Sequence, residues 1–211
     1  MKIMSDTLPR RNSRTGRLLG RLMLRLLGWR IAGELPRLSK AVVVAAPHTS
    51  HWDFIFGMAA ALTLDLDVRW LGKHSLFRYR PAAWLLTRLG GIPVDRSRPQ
   101  GIIEKAVAVC NARDRFLLAI APEGTCRPVA RWKSGAWQIA RQAGIPLVPI
   151  RIDYKHQEIA ILEPLQPTGD LEQEMLAVSR LYSAEQAKYP PKFLPHQPKQ
   201  TAPPPPAADD C

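Results

Sequence analysis

Ala41-Val42-Val43-Val44-Ala45-Ala46-Pro47-His48-Thr49-Ser50-His51-Trp52-Asp53-Phe54 is the stretch on which the reading of this chain turns. Its valine-rich first part ends at a proline, the pattern of a buried strand, and the run from Ser50 through Leu62 reads as the helix that follows. His48 then falls in the turn between the two. Inside one helix a spacing of five would rotate two side chains apart by about 140°, so only a turn at His48 lets Asp53 fold back onto it. Asp53 in the first helical turn is favoured by the positive end of the helix dipole. Its carboxylate can accept the Nδ1 proton of His48 and leave Nε2 free to take a proton from a substrate hydroxyl. A histidine packed at a strand end, beside an aspartate that merely opens a helix, fits the same residues.

The alternation continues downstream. Residues 67–71 read as a short strand, and 72–77 as a loop over the site. Residues 81–89 read as a helix ended by Gly90-Gly91, 91–96 as a short strand whose polar end carries Arg96, and 100–112 as a helix. Residues 116–121 read as a buried strand ending in the turn Pro122-Glu123-Gly124-Thr125. Residues 134–143 form a helix closed by Gly144, with strands at 147–152 and 158–162 and a last helix over 170–188. Strands alternating with helices of these lengths predict an α/β fold: a largely parallel, mixed sheet flanked by helices. The loops at His48, Arg96 and Glu123 each follow a strand, and ligands of open α/β sheets bind beyond the carboxyl ends of the strands. Three separate regions thus converge on one crevice.

With 211 residues the chain suits one catalytic-sized domain, here residues 31–188, after a flexible basic start (1–13) and an amphipathic helix (14–30). Proline density over 189–211, ending in Pro203-Pro204-Pro205-Pro206, predicts a disordered tail. Three cysteines, Cys110, Cys126 and Cys211, in no CxxC spacing argue against a disulfide framework or a zinc site and fit a reduced cytosolic setting. The formal net charge of +12 points to a negatively charged partner: nucleic acid, anionic lipid or a phosphorylated substrate. Nucleic-acid binding calls for a clustered basic face with exposed aromatics or a helix-turn-helix signature, and the chain shows neither. Instead Arg14, Arg17, Arg21 and Arg25 share one stripe of a helix whose other side carries Leu18, Leu19, Leu22, Met23, Leu26 and Leu27. Such a helix lies in a membrane interface, each basic residue near an anionic surface adding about 1 kcal/mol; alternatively, it covers the domain's own core and turns its arginines to water. No stretch approaches the roughly 18 uninterrupted apolar residues of a membrane span. The arginines also break up any signal-peptide core, although an Arg-rich start is compatible with an organelle transit segment.

Four blocks occur in order: His48-x4-Asp53, Gly91-Ile92-Pro93-Val94-Asp95-Arg96, Pro122-Glu123-Gly124-Thr125 and Ile145-Pro146-Leu147-Val148-Pro149-Ile150. Together they resemble the glycerolipid acyltransferases of the lysophosphatidic acid acyltransferase (PlsC-type) superfamily, over about residues 41–153. The resemblance implies transfer of an acyl group from a thioester, on acyl-CoA or acyl carrier protein, to a hydroxyl of a lysolipid or glycerol phosphate, with these as co-substrates and no bound cofactor or metal. It makes His48 the base and Asp53 its partner, and places acceptor binding at Arg96 and the turn Glu123, Gly124, Thr125. The chemistry agrees, because a hydroxyl is a poor nucleophile near neutral pH and a positioned imidazole typically supplies about 100- to 10,000-fold.

Arg96 offers a planar fork for a phosphate; an ion pair with Asp95 or a solvated loop charge is its plain alternative. Glu123 can orient the acceptor hydroxyl or hold Arg96, and Lys73 and Lys133 are secondary anion contacts. Members of the superfamily commonly carry an arginine directly after Glu-Gly-Thr, whereas here Cys126 stands there and Arg127 follows. Either Arg127 substitutes or the head group differs from glycerol phosphate, an ornithine-type lysolipid being one option. Cys126 as an acyl-carrying nucleophile is weighed against a small side chain in a turn, and the turn reading prevails because no His or Asp adjoins it in sequence to activate it and direct transfer needs no covalent intermediate. His51 is also extra, but with no fourth ligand it does not make a metal site. Trp132, Trp137, Trp52 and Trp84 either line an acyl groove or are ordinary core aromatics, core being the reading for most of them. The resulting expectation is a peripheral enzyme on the cytoplasmic face of an anionic membrane, with no nucleic-acid partner. A catalytically silent scaffold of the same fold competes with it, and the intact His48 and Asp53 count against that.

Overall fold

The valine-rich strand sits inside the sheet, with neighbours on both sides. In the computed structural model of the protein, which describes residues 7–95 and 99–198, it spans Lys40–Ala46 (β2) and leads into α2, His51–Thr63. Before it come α1 (Arg14–Leu26) and β1 (Arg30–Ala32). After it follow β3 (Val68–Lys73), α3 (Arg80–Arg88), β4 (Gly91–Val94), α4 (Pro99–Asn111), β5 (Phe116–Ile120), α5 (Gly135–Ala143), β6 (Leu147–Asp153), β7 (Glu158–Ile161) and α6 (Leu171–Ser179). The sheet order is β1-β7-β6-β2-β5-β3-β4. Neighbours pair parallel except β6 with β7, whose short connection through Gln157 (φ 51) leaves room only for an antiparallel return. The expected mixed, largely parallel sheet is therefore present.

Alternation along β2 and β5 sends Val42, Val44, Phe116 and Leu118 to the face covered by α4, α5 and α6. Ala41, Leu117 and Val148 go to the opposite face, toward α2. There α1 lies on α2 so closely that a Cβ added to the buried Gly20 would come within 2.6 Å of the Ala59 carbonyl oxygen. Only Gly20 and Leu24 of α1 are buried. Leu18, Leu19, Leu22 and Leu26 are exposed at 68%, 62%, 50% and 74%, so the apolar arc faces away from the domain's core. No helix among the described residues is long and apolar enough to cross a membrane.

Four segments differ from the sequence reading. Strand β1, too short to show a period, pairs with β7 at the sheet edge. Gly72 and Lys73 extend β3, and His74–Phe77 forms a 3₁₀ turn rather than an open loop. The last helix ends at Ser179 because Tyr182 turns inward to donate to the Val44 carbonyl oxygen at 3.0 Å. Residues 189–198 are ordered, contrary to the expected disorder: Phe193 and His196 are buried. His196 Nδ1 accepts the Trp132 amide at 3.0 Å, and the Leu194 carbonyl accepts the Trp132 indole at 3.1 Å. Proline excludes helix interiors and ladders but not extended chain that packs on a core. Residues 1–6 and 199–211 lie outside the described residues.

Candidate active site

Three strand ends build the site. Val44 of β2 pairs with Ile120 of β5, and Ala46 pairs with Arg151 of β6, all parallel. His48, the turn Pro122–Cys126 and Tyr154 therefore emerge side by side. Ser50 caps α2 and Asp53 takes the third helical position in a reciprocal capping box. Asp53 Oδ2 accepts the amides of Thr49 and Ser50 at 2.7 and 2.8 Å, while Oδ1 accepts the Tyr154 hydroxyl at 2.7 Å. His48 Nδ1 lies 3.4 Å from the same Oδ2, a long contact because two amides already share that oxygen. The His48 amide donates to Glu123 Oε1 at 2.8 Å. On the far side of the ring, Cys126 Sγ is 3.5 Å from Nε2.

Burial by itself would lower the His48 pKa, but the hydrogen bonds to Asp53 and Cys126 outweigh it and push the imidazole up to about 10. The base form therefore becomes more abundant as pH rises above neutral. Burial raises the Glu123 carboxyl, only partly offset by the His48 amide, and Glu123 Oε2 finds no hydrogen-bond partner among the described residues.

His48 lines a cavity of about 1290 Å³ between the sheet and α2. Val43, Ala119 and Ile150 line it from the sheet, and Phe54, Gly57 and Met58 from the helix. Lys73, Arg127 and Lys133 border the same space, as do Gly124 and Thr125. The chemistry this permits is proton abstraction beside a largely apolar cavity with cations at its border. Among the described residues no group of three or more His, Cys, Asp or Glu side chains could hold a metal ion.

The signature of the acyltransferase family matches residues 30–153, more than half of the chain. The chain belongs to the acyltransferase family. In fold, this acyltransferase is similar to the crystal structure of the 1-acyl-sn-glycerophosphate (LPA) acyltransferase PlsC from Thermotoga maritima, with a TM-score of 0.55 and 18% identity over 80% of this chain and 75% of that one. No curated protein sequence matches the chain.

Around this cavity, the residues named from sequence are distributed as follows. His48 and Asp53 meet. Glu123 turns to the His48 backbone, whose amide it accepts. Thr125 Oγ1 accepts the Arg127 amide at 3.2 Å, which folds the turn locally. Gly124 adopts φ +66, and a Cβ there would sit 3.0 Å from the Lys133 side chain that crosses it. Arg96 lies outside the described residues. Trp132 is core, whereas Trp52 and Trp84 are exposed at 44% and 67%. Tyr154, just past the matched region, was not recognised from sequence, although its place two residues beyond the apolar Ile152 marks it as a strand-end group like His48. Cys126 has no His or Asp beside it in sequence, and the β2–β5 pairing is what brings it to His48, 78 residues away.

Proposed function

We propose that the protein transfers a fatty acyl group from acyl-CoA or acyl carrier protein to the hydroxyl of a lysophospholipid, with 1-acylglycerol-3-phosphate as the default acceptor. The observation that carries this is the His48 imidazole, backed by Asp53, in the lining of an apolar cavity bordered by cations. Nε2 takes the acceptor hydroxyl proton, the acyl chain occupies the cavity, and Lys73, Arg127 and Lys133, with Arg96, receive the anionic head group. Glu123 holds the His48 backbone and Tyr154 holds Asp53, so the imidazole keeps its aim while the chain enters.

The exposed leucines of α1, flanked by Arg14, Arg21 and Arg25, dock the enzyme on the cytoplasmic face of an anionic membrane, where its acceptor resides. Cys126 in place of an arginine favours one second reading, a lysolipid head group other than phosphate, such as an ornithine-type lipid. Purified protein with labelled palmitoyl-CoA and a panel containing both acceptor types tests these readings. Product formation with one acceptor and its loss in His48→Ala is the expected result; transfer intact in His48→Ala overturns the assignment of the base.

A further inference from the structure

Neither α3 nor the 3₁₀ turn His74–Phe77 before it contains a buried residue. The inner face of α3, with Ala82, Ala83, Leu86 and Leu89, is half-buried, whereas Pro81, Trp84, Leu85 and Arg88 share the outer face at helical spacing. Trp84 and Leu85 are exposed at 67% and 51%, with Tyr79 at 71% and Leu76 at 52% just ahead of the helix. Bulky apolar side chains clustered in water mark a contact surface. Its charge names the partner: from Val68 to Val94 there is no Asp or Glu, while Arg69, Lys73, Arg78, Arg80 and Arg88 all fall there. Such a face fits anionic lipid, with the indole and phenol at head-group depth, the leucines among acyl chains and the guanidinium groups on phosphates. Pairing with an acidic protein would use the arginines and leave Trp84 and Leu85 in water.

Two links tie this face to the rest of the enzyme. Arg11, just ahead of α1, donates to the Arg88 carbonyl oxygen at 3.1 Å, so the end of α3 adjoins the start of the leucine-bearing helix. Leu76 and Leu86 line the same cavity as His48. We propose that the turn at 74–77 and α3 form a second membrane contact on the anionic bilayer, which sets the cavity against the lipid and lets the acceptor reach His48 without crossing water. It rests on the acyltransferase reading only for what the cavity holds. A single interfacial helix leaves the domain free to rock about the helix axis; a second contact fixes the domain.

The test uses the full chain carrying Trp84→Ser with Leu85→Ser, and vesicles of phosphatidylglycerol and phosphatidylcholine in equal parts. Vesicle binding should weaken by about 30-fold or more. Transfer to lysophosphatidic acid held in those vesicles should fall with it, while transfer from octanoyl-CoA to a short-chain lysophosphatidic acid dissolved below its micelle concentration should keep the wild-type rate. Vesicle binding equal to wild type overturns the contact, as does an equal loss of transfer to the dissolved acceptor. Wild-type vesicle binding with transfer lost only from acyl carrier protein overturns it in favour of an acidic protein at this face. Weakened binding, with no transfer to any lysolipid by the wild type, keeps the contact and overturns the acyltransferase reading. If the double variant does not fold, Arg78→Glu with Arg80→Glu decides: binding should weaken by about 10-fold or more, and wild-type binding overturns the contact.

Discussion

Replacing Gly57 by leucine should shorten the acyl chain that the enzyme accepts. Gly57 borders the cavity from α2, and a Cβ added there meets nothing within 4 Å, so the new side chain enters free space. Leucine is also favoured over glycine in a helix interior by roughly 0.8 kcal/mol, so the fold does not suffer. Its four carbons occupy the place of about four methylenes of a long acyl chain, and each methylene kept out of an apolar site forfeits about 0.8 kcal/mol. The sum, about 3 kcal/mol, corresponds to roughly 200-fold in kcat/KM. A chain about four carbons shorter ends before the obstruction and loses little. The assay is a competition between palmitoyl-CoA and lauroyl-CoA with one acceptor, the ester products being resolved by mass spectrometry. The palmitoyl-to-lauroyl product ratio should fall by about two orders of magnitude in Gly57→Leu. An unchanged ratio, or an equal loss with both donors, would show that the chain lies elsewhere and refute the assignment of the cavity.

Four other outcomes follow from the geometry. Because Asp53 and Cys126 hold His48 up to about 10 despite burial, kcat/KM should climb with pH above neutral, and Asp53→Asn, lacking one raising partner, should move that limb to lower pH; a flat wild-type profile would count against His48 as base. The same imidazolium stabilises the fold fully below its ordinary value of 6.5 and loses that contribution as pH rises toward 10, so the urea midpoint should decline across this window less in His48→Gln than in the wild type. Tyr154→Phe leaves the buried Asp53 Oδ1 without its 2.7 Å donor and should lower stability by about 1–3 kcal/mol in a denaturant titration, unless an unchanged midpoint shows the bond to be dispensable. Leu18→Ser with Leu22→Ser alters side chains exposed at 68% and 50%, so melting should hold while binding to vesicles rich in phosphatidylglycerol weakens by about 100-fold or more, at roughly 1.5–3 kcal/mol per leucine; vesicle binding equal to wild type would remove α1 as the anchor.

Much of the fold was legible because its signals are local. The valine run of β2, the Ser50 cap with Asp53 three residues on, and Gly144 in the left-handed region closing α5 each announce their element within a few residues. What escaped reading was non-local. Strand β1 exists only because β7 offers it an edge, and α6 ends at Ser179 because Tyr182 finds a carbonyl on β2. Residues 189–198 are ordered because Trp132 supplies donors to His196 and Leu194. Composition alone gave a proline-rich tail no reason to stop there.

Residue order along the chain determined that a histidine would stand in a turn after a buried strand, with a carboxylate able to swing back toward it, because backbone period and capping act over a handful of residues. Which distant groups would flank that His48–Asp53 pair was decided by strand order. Only with β2 lying between β5 and β6 do Cys126 and Tyr154, 78 and 101 residues from their respective partners His48 and Asp53, reach them. That order reflects how helices on both sides of the sheet bury their apolar faces together, a property of the whole packed chain that no short segment carries.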